Sequence, residues 1–356
     1  MIRKLLGCLI ILLLLVLASG VGVADAAKIN WKLQSAYAKT LPCSGDLVPK
    51  IAEDINTATN GDVSIQVFEP GALVGALEIL DAVSTGKVDA GFAVSGFWEG
   101  KLPTASVFSS VPFGPETPEF ISWLYYGNGL KLYQEMYDRG KYNVKVLPAG
   151  MLVPETAGWF SKPIKSPADL KGLKMRFFGL GGKAMEKLGV STSLLPPGEV
   201  FAALEKGAVD AAEQSIPIID RRLGFYKVVK YNYFPGWHQQ ATVMELLVNK
   251  DRWNALTKSQ QKVIEMATHA SMVWSIAYGE GAQAPIIKEN AEKFSVKNMY
   301  WSDEMLAAFE KAWKEVLAEQ RGKDEFFNKV WQDLDNFRAQ YRTWGSLGFL
   351  PRKKTE

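Results

Sequence analysis

Apolar and polar residues alternate over residues 29–36 and again over 62–68 (DVSIQVF), the two-residue period of a half-buried strand, with Asn60-Gly61 as the turn before the second run. A helical pattern over residues 46–57 lies between them, and another over 76–84 leads into an apolar strand over 88–94. This β-α-β-α-β rhythm predicts a mostly parallel sheet. Thr117 caps a helix that carries Pro118 in its first turn and extends to residue 137, and residues 143–147 read as a strand. Beyond it come a capped turn at Ser166-Pro167-Ala168-Asp169, a strand over 174–178, a helix to residue 188 and another over 199–206. Strands are expected over 228–234 and 243–249, crossing back between two lobes. From residue 257 the chain turns helical. Thr257 and Gln260 form a capping box, and Val263, Ala267, Ala270, Val273, Trp274 and Ala277 define one apolar face. A helix starts at Ser302. A last one over 324–343 carries the stripe Phe327, Val330, Trp331, Leu334, Phe337, Tyr341 and Trp344.

One joint occurs twice. Leu80-Asp81-Ala82-Val83-Ser84-Thr85-Gly86-Lys87-Val88-Asp89-Ala90 and Phe201-Ala202-Ala203-Leu204-Glu205-Lys206-Gly207-Ala208-Val209-Asp210-Ala211 match in apolar positions, glycine and V-D-A. Each reads as a helix end, a left-handed glycine and a strand start. A repeated αβ unit predicts two similar α/β lobes facing a cleft.

The first 26 residues read as a signal peptide: a basic start at Arg3 and Lys4, an apolar run, then small residues to Ala24-Asp25-Ala26. The competing reading is an uncleaved anchor, because residues 5–23 are nearly long enough to span a bilayer. The small-residue exit favours cleavage and a periplasmic product. With 41 basic and 38 acidic residues interspersed, no basic stripe argues for nucleic acid. Cys43 is the one cysteine outside the leader, which excludes an intrachain disulfide, and two histidines exclude a histidine-rich metal site. Eleven tryptophans suit a core and an aromatic-lined cleft. The organisation expected is a leader over 1–26, a first α/β half over 27–148, a second over 149–249, and a helical segment over 250–356 packing on both lobes.

Ligands in open α/β sheets sit beyond the carboxyl ends of strands. Arg176 ends a strand between apolar and aromatic neighbours, placed either to grip a carboxylate or to make a structural salt bridge. Glu213 and Gln214 follow the second repeat's strand, Glu155 precedes Trp159, and Gln239 follows Pro235-Gly236-Trp237-His238. These are oxygen ligands of the kind hard cations take. No G-x-S-x-G, H-E-x-x-H or G-x-G-x-x-G is present.

Four stretches carry a family resemblance: residues 68–90 (FEPGALVGALEILDAVSTGKVDA), 170–176 (LKGLKMR), 185–190 (MEKLGV) and 199–213 (EVFAALEKGAVDAAE). The chain resembles the solute-binding proteins of TRAP (tripartite ATP-independent periplasmic) transporters, over nearly its whole length. Residues 225–228 and 235–237 make it most similar to the branch binding α-keto acids and other small monocarboxylates. The resemblance implies an α/β, two-lobed, venus-flytrap periplasmic binding protein with crossing strands and long C-terminal helices. It also implies a non-enzymatic role: an organic acid captured for a small and a large membrane subunit. By position Arg176 would hold the ligand carboxylate, with Glu155, Phe97, Trp98, Gln214 and Trp237 around the ligand. A cation, sodium or calcium, would be held by Glu155, Glu213, Gln239 and the backbone carbonyl of Gln214. The branch has Gln and Glu where this chain has Glu155 and Gln239, so two carboxylates are kept but redistributed. Gln214 replaces an aromatic residue, His238 replaces a tryptophan, and Phe97-Trp98 fall in a tyrosine-rich segment. The branch includes dimers with exchanged C-terminal helices, so the last helix is expected either to cover its own lobes or to meet a second copy. A subunit feeding a sensor, or an enzyme using His238 as acid–base, are the competing functions.

Overall fold

The computed structural model describes residues 28–350; the leader read over 1–26 lies outside the described residues. The strands are β1 (Ile29–Ser35), β2 (Val63–Phe68), β3 (Ala90–Ala93), β4 (Val144–Leu152), β5 (Gly158–Phe160), β6 (Lys174–Arg176), β7 (Ser191–Ser193), β8 (Ala211–Ala212), β9 (Tyr231–Phe234), β10 (Thr242–Asn249) and β11 (Lys297–Tyr300). The helices are α1 (Leu47–Ala58), α2 (Ile79–Ser84), α3 (Ala105–Ser109), α4 (Thr117–Tyr125), α5 (Gly129–Arg139), α6 (Gly179–Lys187), α7 (Pro197–Glu205), α8 (Pro217–Leu223), α9 (Lys250–Asn254), α10 (Lys258–Phe294), α11 (Asp303–Lys323) and α12 (Glu325–Gly348). Two sheets result, ordered β2-β1-β3-β10-β4 and β11-β9-β5-β8-β6-β7.

The sequence repeat is the seam of both sheets. In each lobe three parallel strands lie side by side, β2-β1-β3 in one and β7-β6-β8 in the other, and an antiparallel strand follows the third. Gly86 and Gly207 take φ of 74° and 67°, as the helix-ending joint requires. The aspartates do the same work twice. Asp89 accepts the Lys32 backbone N–H at 2.8 Å, and Asp210 accepts that of Lys174 at 2.9 Å. Each ties the start of its strand to the parallel neighbour.

Three departures from the sequence pattern have local causes. The helix expected over 117–137 is two helices, because a Cβ on Gly127 would lie 2.7 Å from the Trp123 carbonyl oxygen and the chain turns there. Strand β4 runs on through Pro148 to Leu152. Its register against β10 slips between Met244 and Glu245, leaving Ala149 as a bulge that absorbs the proline. The buried face of α10 is only in part the apolar one expected: Ala267 is buried, but Ala270, Val273 and Ala277 are exposed, while Gln261, Thr268, Ser271, Met272 and Ser275 are buried. This face covers β4, the edge of the first sheet, whose free backbone groups need partners. Ser271 Oγ donates to Ala149 O at 2.7 Å, and Ser275 Oγ accepts the Met151 N–H at 2.9 Å.

Strand β10 belongs to the first sheet although it falls within residues 149–249, and β11 extends the second sheet from within residues 250–356. The chain therefore passes between lobes after β4, again after β9, and a third time after β10 by way of α10, and the first two passages frame the cleft.

Candidate functional site

Strand ends and the two crossing segments converge on one small cavity. Tyr37 and Phe97 reach it from beyond β1 and β3, Arg176 from the end of β6, and Gln214 from beyond β8. Glu155 comes from the β4–β5 crossing, Gln239 and Thr242 from the β9–β10 crossing. Its volume measured at water centres is about 30 Å³.

The crossings are held together by backbone. Glu155 N–H donates to Gln239 O at 3.1 Å, and Gly236 N–H donates to Glu155 O at 3.1 Å. A side chain on Gly236 would sit 2.3 Å from that oxygen, so only glycine permits the approach. Glu155 Oε1 then accepts from Gln239 Nε2 at 3.0 Å and Thr242 Oγ1 at 2.9 Å.

Strands β6 and β8 supply the second cluster. Arg176 Nη1 pairs with Glu213 Oε2 at 2.8 Å and also donates to the Glu213 carbonyl; Arg176 Nε donates to Leu195 O at 3.3 Å. Only Nη2 of the guanidinium makes no hydrogen bond among the described residues, so the two-pronged grip expected from the sequence reduces to one nitrogen as the side chain stands. Phe178 N–H donates to Glu213 Oε2 at 3.1 Å, and His238 Nε2 lies 3.4 Å from Glu213 Oε1.

The electrostatics split the two glutamates. Burial drives the Glu155 carboxyl well above the usual carboxylate range, and the Glu213 charge adds to it. Burial acts on Glu213 as well, but Arg176 and His238 outweigh it and hold its carboxyl below the usual value. Burial, with Glu155 next, raises the Tyr37 hydroxyl, which therefore stays protonated.

The side-chain oxygens shielded from solvent without a hydrogen-bond partner include Glu155 Oε2, Glu213 Oε1, Gln214 Oε1 and Gln239 Oε1. These four belong to the residues expected to hold a cation. For Gln214 the expected donor was the backbone carbonyl, and the side-chain oxygen is unpartnered too. An all-oxygen set with two carboxylates fits a hard cation. Glu155, Glu213 and His238 each place one donor atom within 4.8 Å of the others.

Two expected ligand contacts lie elsewhere. Trp98 and Trp237 are absent from the cavity lining, as is Glu213, which is expected to hold the cation. Trp98 donates from Nε1 to Glu245 Oε1 at 2.8 Å inside the first lobe, and Trp237 stacks on Phe309 of α11 at 4.5 Å between ring centres. Residues not foreseen include Tyr37, Thr242, Phe178 and Asp220. Asp220 is buried on α8, accepts from Trp159 Nε1 at 2.8 Å, and is raised well above the carboxylate range by burial. Nothing local marks any of them; a tyrosine after β1 was the one available signal under the strand-end rule.

Residues 35–324 match the model of the family DctP, bacterial extracellular solute-binding protein, family 7. A monocarboxylate 2-oxoacid-binding periplasmic protein of Nostoc sp. is 34% identical over 92% of this chain and 89% of its own. A TRAP periplasmic solute-binding protein from Pseudoalteromonas atlantica, solved with bound sodium and pyruvate, is 31% identical. It superposes with a TM-score of 0.85 over 89% of this chain and 96% of that one. One from Bordetella bronchiseptica, a dimer with calcium and picolinate in one site, is 30% identical with a TM-score of 0.86, over 89% and 94%. Together with the two-lobed fold, this match over most of its length places the chain in bacterial extracellular solute-binding protein family 7.

Proposed function

We propose that this protein captures a small organic monocarboxylate, a 2-oxo or 2-hydroxy acid, together with a cation in the periplasm. It then delivers the acid to the small and large membrane subunits of a TRAP transporter. One observation carries the reading: Glu155, Gln214 and Gln239, each with a shielded, unpartnered oxygen, line one small cavity with Arg176, and Glu213, whose Oε1 is also unpartnered, pairs with that arginine. Unpartnered buried oxygens are costly unless something positive meets them. A bound sodium or calcium would offset the two carboxylates and attract the anion's oxygens. The chain's own groups then position the acid: Arg176 Nη2 toward its carboxylate, the protonated Tyr37 hydroxyl as a donor, and Phe97 and Phe178 as an apolar wall. The relatives binding pyruvate, picolinate and 2-oxo acids support the same class.

Calorimetry with pyruvate, lactate and picolinate tests this, run in sodium, in calcium, and in sodium-free buffer with chelator. The expected result is binding of at least one acid that weakens about tenfold or more without cation. No binding of any short 2-oxo or 2-hydroxy acid overturns the reading, and cation-independent affinity removes the cation from it.

A further inference from the structure

His238 is one of two histidines in the chain and is 1% exposed, yet neither of its ring nitrogens has a hydrogen-bond partner. Its Nε2 lies 3.4 Å from Glu213 Oε1, which is also unpartnered, and Glu155 contributes an oxygen within 4.8 Å of both. All three residues are buried, so water does not readily satisfy these atoms. An imidazole nitrogen and a carboxylate oxygen bound to one ion through bonds of about 2.1 Å sit roughly 3.4 Å apart when the ligands are tetrahedral. The observed spacing is that of two ligands sharing an ion, and it is long for a hydrogen bond.

The ring is fixed in place. A Cβ on Gly181, in the first turn of α6, would fall 2.8 Å from His238 Cβ, so the helix packs directly on the histidine backbone side. Phe177 meets the ring edge-on with centroids 5.0 Å apart. An imidazole held in an apolar wall with its Nε2 toward two carboxylates is prepared for a ligand role rather than a solvated one.

We propose that His238 ligates the cation directly, which gives this protein a mixed nitrogen–oxygen site selective for a divalent first-row transition ion over sodium or calcium. The inference rests on reading Glu155 and Glu213 as cation ligands. Imidazole adds affinity for zinc, copper, iron or nickel but little for hard ions, which take oxygen. Charge agrees. Once a bound ion displaces the proton that burial keeps on Glu155, Glu155 and Glu213 as ligating carboxylates sum with Arg176 to one negative charge, and a divalent ion with a monocarboxylate brings the site to neutrality. A monovalent ion leaves it negative.

The test uses the tag-free chain without its leader, stripped with EDTA and titrated with zinc, calcium or sodium chloride alone. X-ray absorption on the zinc-loaded wild-type protein is the second readout. Zinc is expected to bind about tenfold or more tightly than calcium, with one imidazole in its coordination shell. His238→Asn should lose that preference while calcium affinity changes by less than about threefold, and His269→Asn on the exposed face of α10 should change neither. A zinc shell without imidazole, or a His238→Asn variant that keeps the wild-type preference, overturns the proposal and leaves an oxygen-only cation site standing. Failure of every cation to bind overturns both this proposal and the cation reading. The absorption spectrum decides the matter even if the variant does not fold.

Discussion

Arg176 Nη1 stands 2.8 Å from Glu213 Oε2, at the ends of neighbouring parallel strands, and both side chains are closed off from solvent. Sequence reasoning left Arg176 between two roles, ligand grip and structural ion pair. The structure shows the ion pair: Nη1 and Nε hold the second lobe's strand ends and loop, and Nη2, which makes no hydrogen bond among the described residues, is the nitrogen proposed for the ligand.

Arg176→Ala is therefore expected to weaken both binding and folding. Stranding Glu213 costs about 3–5 kcal/mol of stability. Loss of the ligand contact costs about 2 kcal/mol or more, near 30-fold in affinity. Arg176→Lys should recover less than half of either, because a point charge cannot serve Glu213 and the ligand from separate nitrogens. Calorimetry and thermal melts on the same samples check this; unchanged affinity for pyruvate in Arg176→Ala would remove Arg176 from the site.

Gly236→Ala is expected to damage the site through backbone alone. The added methyl would lie 2.3 Å from Glu155 O and 2.8 Å from its carbonyl carbon, neither of which can rotate away. The crossings must separate, at about 1–3 kcal/mol, and Glu155 moves away from Gln239. Gly198→Ala, which meets nothing within 4 Å, should stay within about 0.5 kcal/mol of wild type. Equal behaviour of the two variants would contradict the clamp.

Glu245 predicts a specific pH dependence of stability. It sits fully buried on β10, accepting from Trp98 Nε1 and Tyr137 OH at 2.8 Å and from Tyr133 OH at 2.5 Å. Burial raises its carboxyl to about 7, although these donors pull it down. The folded state thus keeps a proton that the unfolded chain loses near 4.3, so N binds more protons than U between those values. Stability should fall as pH rises from about 4.5 to 7, by on the order of 3 kcal/mol from this group. Other buried carboxyls add their own slopes, so the measurement is the wild-type minus Glu245→Gln difference across that window. A flat difference would show that Glu245 is ionised throughout.

The C-terminal helix is covered by its own lobes along the first part of its stripe and exposed at its end. Phe327, Val330, Trp331 and Leu334 are buried against the protein's own lobes, whereas Trp344 and Leu347 are 61% and 79% exposed. Truncation before residue 324 would strip the core, so the informative cut is before Thr343. We expect light scattering to give the mass of two chains, falling to one on that truncation with ligand affinity retained. A single-chain mass for the full protein at high concentration would end the dimer reading.

Local features were legible because their causes are local. The repeated helix-glycine-strand joint, the capping box of Thr257 and Gln260 and the Ser302 cap each depend on a few adjacent residues, and each appears where the pattern put it. The strand-end rule also pointed to Arg176 and Gln214, which line the cavity at and beyond the ends of β6 and β8.

What the sequence could not settle depended on residues far apart in the chain. Gln239 meets Glu155 across 84 positions because two crossings happen to be clamped at Gly236. Trp98 turns into the first lobe rather than the cavity because Glu245, 147 residues on, needs its N–H. The polar face of α10 looks wrong by hydrophobic periodicity alone; it is right once β4 is seen to be a sheet edge with unpaired backbone groups. Periodicity reports which side chains avoid water, and only the assembled sheets decide which backbone groups, carboxylates and rings are left needing a partner.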